Sequence, residues 1–498
     1  MDGILKQFRS KIEEKEKIEG ALSILEWDLE TCTPKKGQEY LSEIVGYLTM
    51  KEYEISTSKE FMDMVETLRK NPEKLSEIER KEIEVISREI EKMKNIPPKE
   101  YQEFSELTVK TQGLWEQAKL TNNYNLYKDG LQKIFDYTVK FAQYNRKDEK
   151  NLYDVILDEF ERGMTTEKLD EFFDALKKEI VPLLQKIVAK GNPSRKLMSY
   201  NSIENQKKFN RVVGEYLGFD FDRGVVRESE HPFTLDINKN DVRLTTKYIE
   251  DNPFSAIFST IHETGHGIYE QQIGDELKGT ILAGGGSMGI HESQSRFYEN
   301  VIGRSRSFWK GLYPEAVKYN PILKDMSLDD FCREINIVEP SLIRTEADEL
   351  TYSLHIMVRY EIEKAIVAGK ITTENLPEIW REKMLEYVGV APETDADGVM
   401  QDVHWAGGLI GYFPSYALGS AYAAQIFSAM KKDMDVDKVL ENGELYKIKE
   451  WLGNKIHRFG RFKETEEIIK EVTGEGLNPK YYIDYLKEKY SKIYNLDI

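Results

Sequence analysis

Cysteine is almost missing from this chain. Its 498 residues hold two, Cys32 and Cys332, 300 positions apart, which excludes the paired-cysteine framework of small secreted domains. Positive charge is in deficit too: 70 Lys and Arg stand against 88 Asp and Glu, a formal net charge of −18. Nucleic acid and anionic membrane both need a basic face, so neither is expected as a partner. Met1 to Ser10 alternates charged and apolar residues without a hydrophobic core segment; no secretory signal is read there, and the cytoplasm is the expected compartment. Long uncharged runs are missing with one exception, Trp405 to Met430. That run has the length of a membrane helix, yet it contains Pro414, Gln425, three serines and four glycines, and it reads as the buried wall of a site. No repeat or low-complexity linker divides the chain. One compact unit over 1–498 is therefore expected, with a helical N-terminal part over 1–220 and the site in 221–498.

Amphipathic helices dominate what is present. Ser76 and Glu79 make a capping-box pattern, Ile83, Ile86, Ile90 and Met93 follow at helical spacing, and Pro97-Pro98 ends the run. The pattern breaks near residue 225. Phe233 to Ile237, a turn over Asn238 to Asn240, and Val242 to Tyr248 read as a β-hairpin. A sheet edge there is placed to take an extended peptide by strand addition, although a hairpin that only packs fits the same residues. Beyond residue 290 helix returns, punctuated by Pro340 and Pro414. The class is mainly α with a small β-sheet.

Seven histidines serve the whole chain, and two of them fall in His262-Glu263-Thr264-Gly265-His266. Four residues apart on a helix, they share one face one turn apart, which suits two imidazoles on one Zn²⁺. The glutamate between them is placed to act on a water at that ion. Asp251 or Asn252 is expected to cap the helix and Pro253 to take its first position, while Phe254, Ile257, Phe258 and Ile261 form the stripe that buries it. Gly265 costs about 1 kcal/mol of helix propensity relative to alanine, and it leaves room for a ligand or a backbone beside the metal. These residues point to a metallohydrolase.

A catalytic zinc needs a third protein ligand and an open position. Tyr269 and Gln272 stand where the metzincin pattern has glycine and histidine, so the third ligand comes from farther along. Gly284-Gly-Gly286 is read as a turn delivering a new helix, which offers Glu292 and His291. His291 is either a rival ligand or a neighbour that orients a carboxylate. No Gly-Lys-Ser/Thr follows the glycines, so they are not a phosphate loop.

Together these residues resemble the thermostable metallocarboxypeptidases of the carboxypeptidase Taq type. The similarity begins at Trp27-Asp-Leu-Glu-Thr31 and is dense in the second half. There His231-Pro-Phe233, Asp241-Val-Arg243-Leu-Thr245 and His291-Glu-Ser-Gln294 match three of the family's motifs, the last carrying its third ligand. Ile343-Arg344-Thr-Glu-Ala347-Asp348 and Gly398-Val-Met-Gln401-Asp402-Val-His404-Trp405 match two more. The resemblance implies a helical, groove-bearing fold like that of neurolysin-type peptidases, assembled as a homodimer. It implies release of single C-terminal residues from peptides with broad specificity, using Zn²⁺ or Co²⁺. It also selects Glu292 to complete the set of His262 and His266.

Chemical roles follow for the matched residues. Glu263 takes the proton of the attacking water and delivers it to the leaving amine. His404 and Tyr416 are the candidates for the second donor to the tetrahedral oxyanion, with Tyr412 behind them. Arg344 suits the terminal carboxylate of a peptide, and a salt bridge to Glu346 or Asp348 is its competing role. His231, Gln401 and Asp402 are expected along the substrate, and Asp241, Arg243 and Thr245 either touch it or support the site. Two other functions compete: a neurolysin-type zinc oligopeptidase cutting internal bonds, and a non-enzymatic helical protein with a structural zinc. An intact Glu263 argues against the second, because a structural site has no use for a base.

Overall fold

The computed structural model describes residues 2–192 and 195–497. It is a stack of helices interrupted by one three-stranded sheet. Local signals set several helix ends. Ser76 and Glu79 close the expected capping box, and helix Glu77–Lys94 buries Ile83, Ile86 and Ile90. Met93 departs from that stripe and is 42 % exposed, because it borders a cavity where the packing stops.

Strands β1 (Gly224–Glu228), β2 (Thr234–Asn238) and β3 (Asp241–Thr246) lie in the order β1-β3-β2. β2 and β3 are the expected antiparallel hairpin, and β1 adds in parallel to β3. The sheet leaves β2 with a neighbour on one side only, while Val242, Leu244 and Thr245 of the central strand are buried.

The main apolar core runs through most of the chain, from Val85 to Tyr494. A smaller one joins Phe8 and Ile12 of the first helix (Asp2–Thr31) to Phe61, Leu68, Ile83 and Ile86. A cavity of about 960 Å³ opens between this N-terminal layer and the sheet, bordered by Glu16, Gly20, Asp236, Asn240, Gly284 and Arg461. Among the described residues no helix is long and apolar enough to cross a membrane. The uncharged run instead supplies helix Pro414–Asp433, buried along Ala417, Leu418, Gly419, Ala421 and Ala424. It is a wall, as its proline and glycines suggested.

Helix Pro253–Gln271 begins at Pro253 as expected, but Asn252 makes no side-chain cap bond. Burial of Phe254, Ile257, Ile261 and Ile268 holds it instead. Gly265 makes room for backbone: a Cβ there would stand 2.7 Å from both Gln294 O and Ser295 Cα of helix Met288–Arg296. From helix Pro414–Asp433, a Cβ on Gly419 would lie 2.5 Å from Glu292 Cγ of helix Met288–Arg296. The helix carrying Glu292 is thus clasped between two glycines. Alanine in a helix ordinarily gains about 1 kcal/mol over glycine, whereas overpacking costs about 1–3 kcal/mol. Gly265→Ala and Gly419→Ala are each expected to lower the melting temperature, followed by circular dichroism; a rise in either would mean that the contact yields.

Candidate metal centre and active site

Three side chains from two adjoining helices converge. His262 Nε2 and His266 Nε2 lie 3.6 and 3.5 Å from Glu292 Oε2, and the three donor atoms are all within 4.8 Å of one another. The opposite ring nitrogens are engaged elsewhere: His262 Nδ1 meets Glu299 Oε2 at 2.9 Å, and His266 Nδ1 meets His291 Nδ1 at 2.6 Å. Both Nε2 atoms therefore face inward. Burial takes His266 down to about 3, which keeps its ring neutral with a lone pair to give. Burial also lowers His262, but Glu292 and Glu299 outweigh it and push the imidazole up. Burial raises Glu292, yet Arg296 and the two histidines hold its carboxyl well below the usual range. Two imidazole nitrogens and an ionised carboxylate, with outer hydrogen bonds fixing the rings, fit a divalent metal ion. His291 is not in the converging set, since its Nε2 lies 2.7 Å from Glu270 Oε1.

Glu263 lies close enough for the charges of His262 and Glu292 to act on its carboxyl, and it is 6 % exposed. Its Oε2 accepts a 2.6 Å hydrogen bond from Thr234 Oγ1, the first residue of β2. Burial raises its carboxyl against the opposing pull of His262 and Thr234. The small sheet thereby aims the acid of the helix. A hydrogen bond to a charged group is worth about 1.5–3 kcal/mol, so Thr234→Val is expected to lower kcat by about 10- to 100-fold. KM and metal content should stay unchanged, and Thr234→Ser should restore most of the rate. An unaltered kcat in Thr234→Val would leave this hydroxyl without a part.

At the uncharged wall, His404 Nε2 and Tyr416 OH are 3.2 Å apart, with the Tyr412 ring 5.2 Å from that of Tyr416. Burial, opposed by Asp402 and assisted by Arg344 and Arg359, takes His404 down to about 4. Burial also pushes the Tyr416 hydroxyl far up, so it keeps its proton. Arg344 is 6 % exposed. Its Nε and Nη2 donate to Asp402 Oδ1 at 3.0 and 2.8 Å, and its Nη1 donates to Tyr352 OH at 3.1 Å. Those three bonds leave two of the five N–H groups of the guanidinium without a partner among the described residues. Tyr352 also lies under Arg296, whose guanidinium is 4.0 Å from its ring, and Arg296 Nε is 2.7 Å from Glu292 Oε1. The free donors of Arg344 thus stand two side chains from Glu292.

The carboxypeptidase Taq (M32) metallopeptidase family matches residues 7–490. The chain belongs to that family. It is similar to carboxypeptidase 1 of Bacillus subtilis, 45 % identical over 480 residues and 96 % of each chain. It is 36 % identical over 495 residues, 98 % of each chain, to thermostable carboxypeptidase 1 of Pyrococcus furiosus. The crystal structure of the M32 carboxypeptidase from Deinococcus radiodurans R1 superposes with a TM-score of 0.96 at 31 % identity, covering 99 % of this chain and 100 % of the other. This Taq-type protein is therefore a metal-dependent carboxypeptidase, and the internal cutting of an oligopeptidase is set aside.

Several residues of the metallocarboxypeptidase stand differently from expectation. Neither Glu346 nor Asp348 is the partner of Arg344. Asp348 instead caps helix Glu349–Val367, accepting from Leu350 N and Thr351 N. Asp402 is shared, with its Oδ2 accepting from Arg359 Nε at 2.7 Å, and Arg359 is a fully buried arginine that no motif marked. Gln401 accepts from Arg344 N and Arg359 Nη2 and donates to Leu342 O and Asp397 O. Gln401 and Asp402 hold the two arginines in place. Thr245 is fully buried and accepts from Phe233 N and Ser229 Oγ; it builds the approach to β2. Asp241 and Arg243 bind one another through two hydrogen bonds of 2.9 and 2.8 Å, beside the ring of Trp27. His231 is exposed at the entry to β2. No motif marks Glu270 or Glu299, although one lies four residues past His266 and the other seven past Glu292, spacings that share a helix face.

Proposed function

We propose that this enzyme removes residues singly from peptide C-termini with broad specificity, holding Zn²⁺, with Co²⁺ as the alternative, on His262, His266 and Glu292. The observation that carries the reading is the convergence of two Nε2 atoms and Glu292 Oε2, with the carboxyl of Glu263 close enough to feel the charges of His262 and Glu292. When bound, the ion supplies Lewis acidity, polarising the scissile carbonyl and lowering the pKa of a water. Glu263 takes the proton of the attacking water and hands it to the leaving amine, a task suited to a buried carboxyl raised above its ordinary range. Tyr416, protonated and paired with a neutral His404, donates to the developing oxyanion. Arg344 meets the terminal carboxylate with its two free N–H groups. The open side of β2 aligns the peptide backbone, and upstream residues enter the cavity beyond it. The uncharged wall over 405–430 offers no charge to select a side chain, consistent with broad specificity. His231 remains the candidate for a contact farther out.

One unblocked peptide tests the reading. Timed mass spectra are expected to show a ladder shortened by one residue at a time from the C-terminus, and internal fragments would overturn it. Metal analysis after dialysis tests the ligands: Glu292→Ala and His262→Ala are each expected to leave the site empty and inactive, because two protein ligands hold a divalent ion weakly. Full metal in either variant would remove that residue from the set. The reading includes a cytoplasmic homodimer; sedimentation as a monomer would remove that part alone.

A further inference from the structure

The two ligand histidines are supported unequally. His262 leans on a carboxylate directly, through Glu299, whereas His266 leans on another imidazole. His291 Nδ1 is 2.6 Å from His266 Nδ1, and its Nε2 is 2.7 Å from Glu270 Oε1. Glu270 is 3 % exposed, and the same oxygen accepts from Gly285 N at 3.0 Å.

One arrangement of protons lets His266 coordinate through Nε2. A lone pair at that atom requires the proton on Nδ1. That proton is donated to His291 Nδ1, so His291 carries its own proton on Nε2 and donates it to Glu270. The carboxylate at the end accepts from His291 and from Gly285. Every donor then meets an acceptor. With the proton on His291 Nδ1 the order reverses: His266 Nδ1 becomes the acceptor, its proton moves to Nε2, and the ring no longer has a lone pair facing Glu292.

We propose that Glu270 and His291 are positioning residues that lock the tautomer and ring plane of His266, and so set how tightly the site holds its metal without touching it. The proposal rests on reading His262, His266 and Glu292 as the ligands. The glycine turn belongs to the same device. A Cβ on Gly285 would fall 2.4 Å from His291 Cδ2 and 2.6 Å from Glu270 Oε1, so the lock occupies the volume a side chain would need. Tyr269 steadies it from the side: its ring centre is 5.0 Å from that of His291, and its hydroxyl accepts from Gly286 N at 3.0 Å.

Chelator competition on the purified, metal-free protein, with Zn²⁺ as the probe, decides the matter. Glu270→Leu and His291→Phe are each expected to weaken Zn²⁺ binding by about 10- to 100-fold. The double variant should be no more than about 3-fold weaker than the worse single, since both act through one bond. Glu270→Gln keeps an accepting oxygen in place and should stay within about 3-fold of the parent. The lock is overturned if either disruptive variant binds like the parent, if the two losses multiply in the double variant, or if Glu270→Gln is as weak as Glu270→Leu. Circular dichroism checks folding, and should Glu270→Leu unfold, His291→Phe and Glu270→Gln carry the test. His262→Ala is measured alongside. Parent-like binding there would sink the ligand assignment itself, an outcome distinct from failure of the lock.

Discussion

Glu263→Gln is expected to keep its metal and to lose peptide hydrolysis by about 10²- to 10⁴-fold, the range that a positioned acid–base group contributes. The substitution is nearly isosteric, and the amide oxygen can still accept from Thr234 Oγ1 as Glu263 Oε2 does at 2.6 Å. Packing around the helix is therefore preserved while the capacity to carry a proton is lost. Glu263 is outside the converging donor set, so metal content should match the parent's. Kinetics on an unblocked peptide, with metal analysis of the same sample, give the answer. Near-parent turnover would place the base elsewhere, and an empty site would mean that Glu263 helps to hold the ion.

The second large effect concerns Arg344. A peptide with an amidated C-terminus should be cut far more slowly than its free-acid twin, because the amide cannot form a charge-assisted pair with the guanidinium. Breaking a buried charged pair costs about 2–5 kcal/mol, or about 30-fold to a few thousandfold in kcat/KM. Arg344→Ala should erase most of the difference by crippling cleavage of the free acid, with the metal still bound. The same variant strips Asp402 of one of its two cationic partners. Asp402→Asn is the useful companion, since it loosens both arginines while leaving Arg344 its charge, and it should lose less than Arg344→Ala. Equal cutting of acid and amide by the parent would remove the clamp. A preference for the acid that survives in Arg344→Ala would transfer it to another cation, Arg243 first.

What could be read from the residues alone was what helical spacing and short-range turn chemistry express. His262, Glu263 and His266 declare themselves within five positions, the Ser76–Glu79 box within four, and the β2–β3 hairpin within about a dozen. Gly265 was legible as a need for space but not as a need for the backbone at Gln294 and Ser295, which lies some thirty residues away in sequence. The cluster of Arg344, Arg359 and Asp402 was illegible for the same reason. Its members come from a short turn, a buried helix and a loop that meet only through tertiary packing. In β1, Gly224-Val-Val-Arg-Glu228, apolar and polar residues do not alternate and none is fully buried, and the strand pairs across a gap in sequence. Glu270 and Glu299 had the right spacing, but in a chain with 88 acidic residues spacing alone does not single out two of them.

The clasp on helix Met288–Arg296 bears on how such an enzyme can diverge. At Gly265 and Gly419 the neighbouring helices meet it with nothing larger than hydrogen in between, so residue volume has reached its floor. No substitution there can draw Glu292 closer to the histidines, and each larger one pushes on the carboxylate or on the backbone beside it. The adjustable parts of the centre are the groups one bond farther out, Glu299 behind one imidazole and His291 with Glu270 behind the other. A laboratory search for variants with altered metal preference is best aimed there, where exchanges change basicity and orientation by degrees.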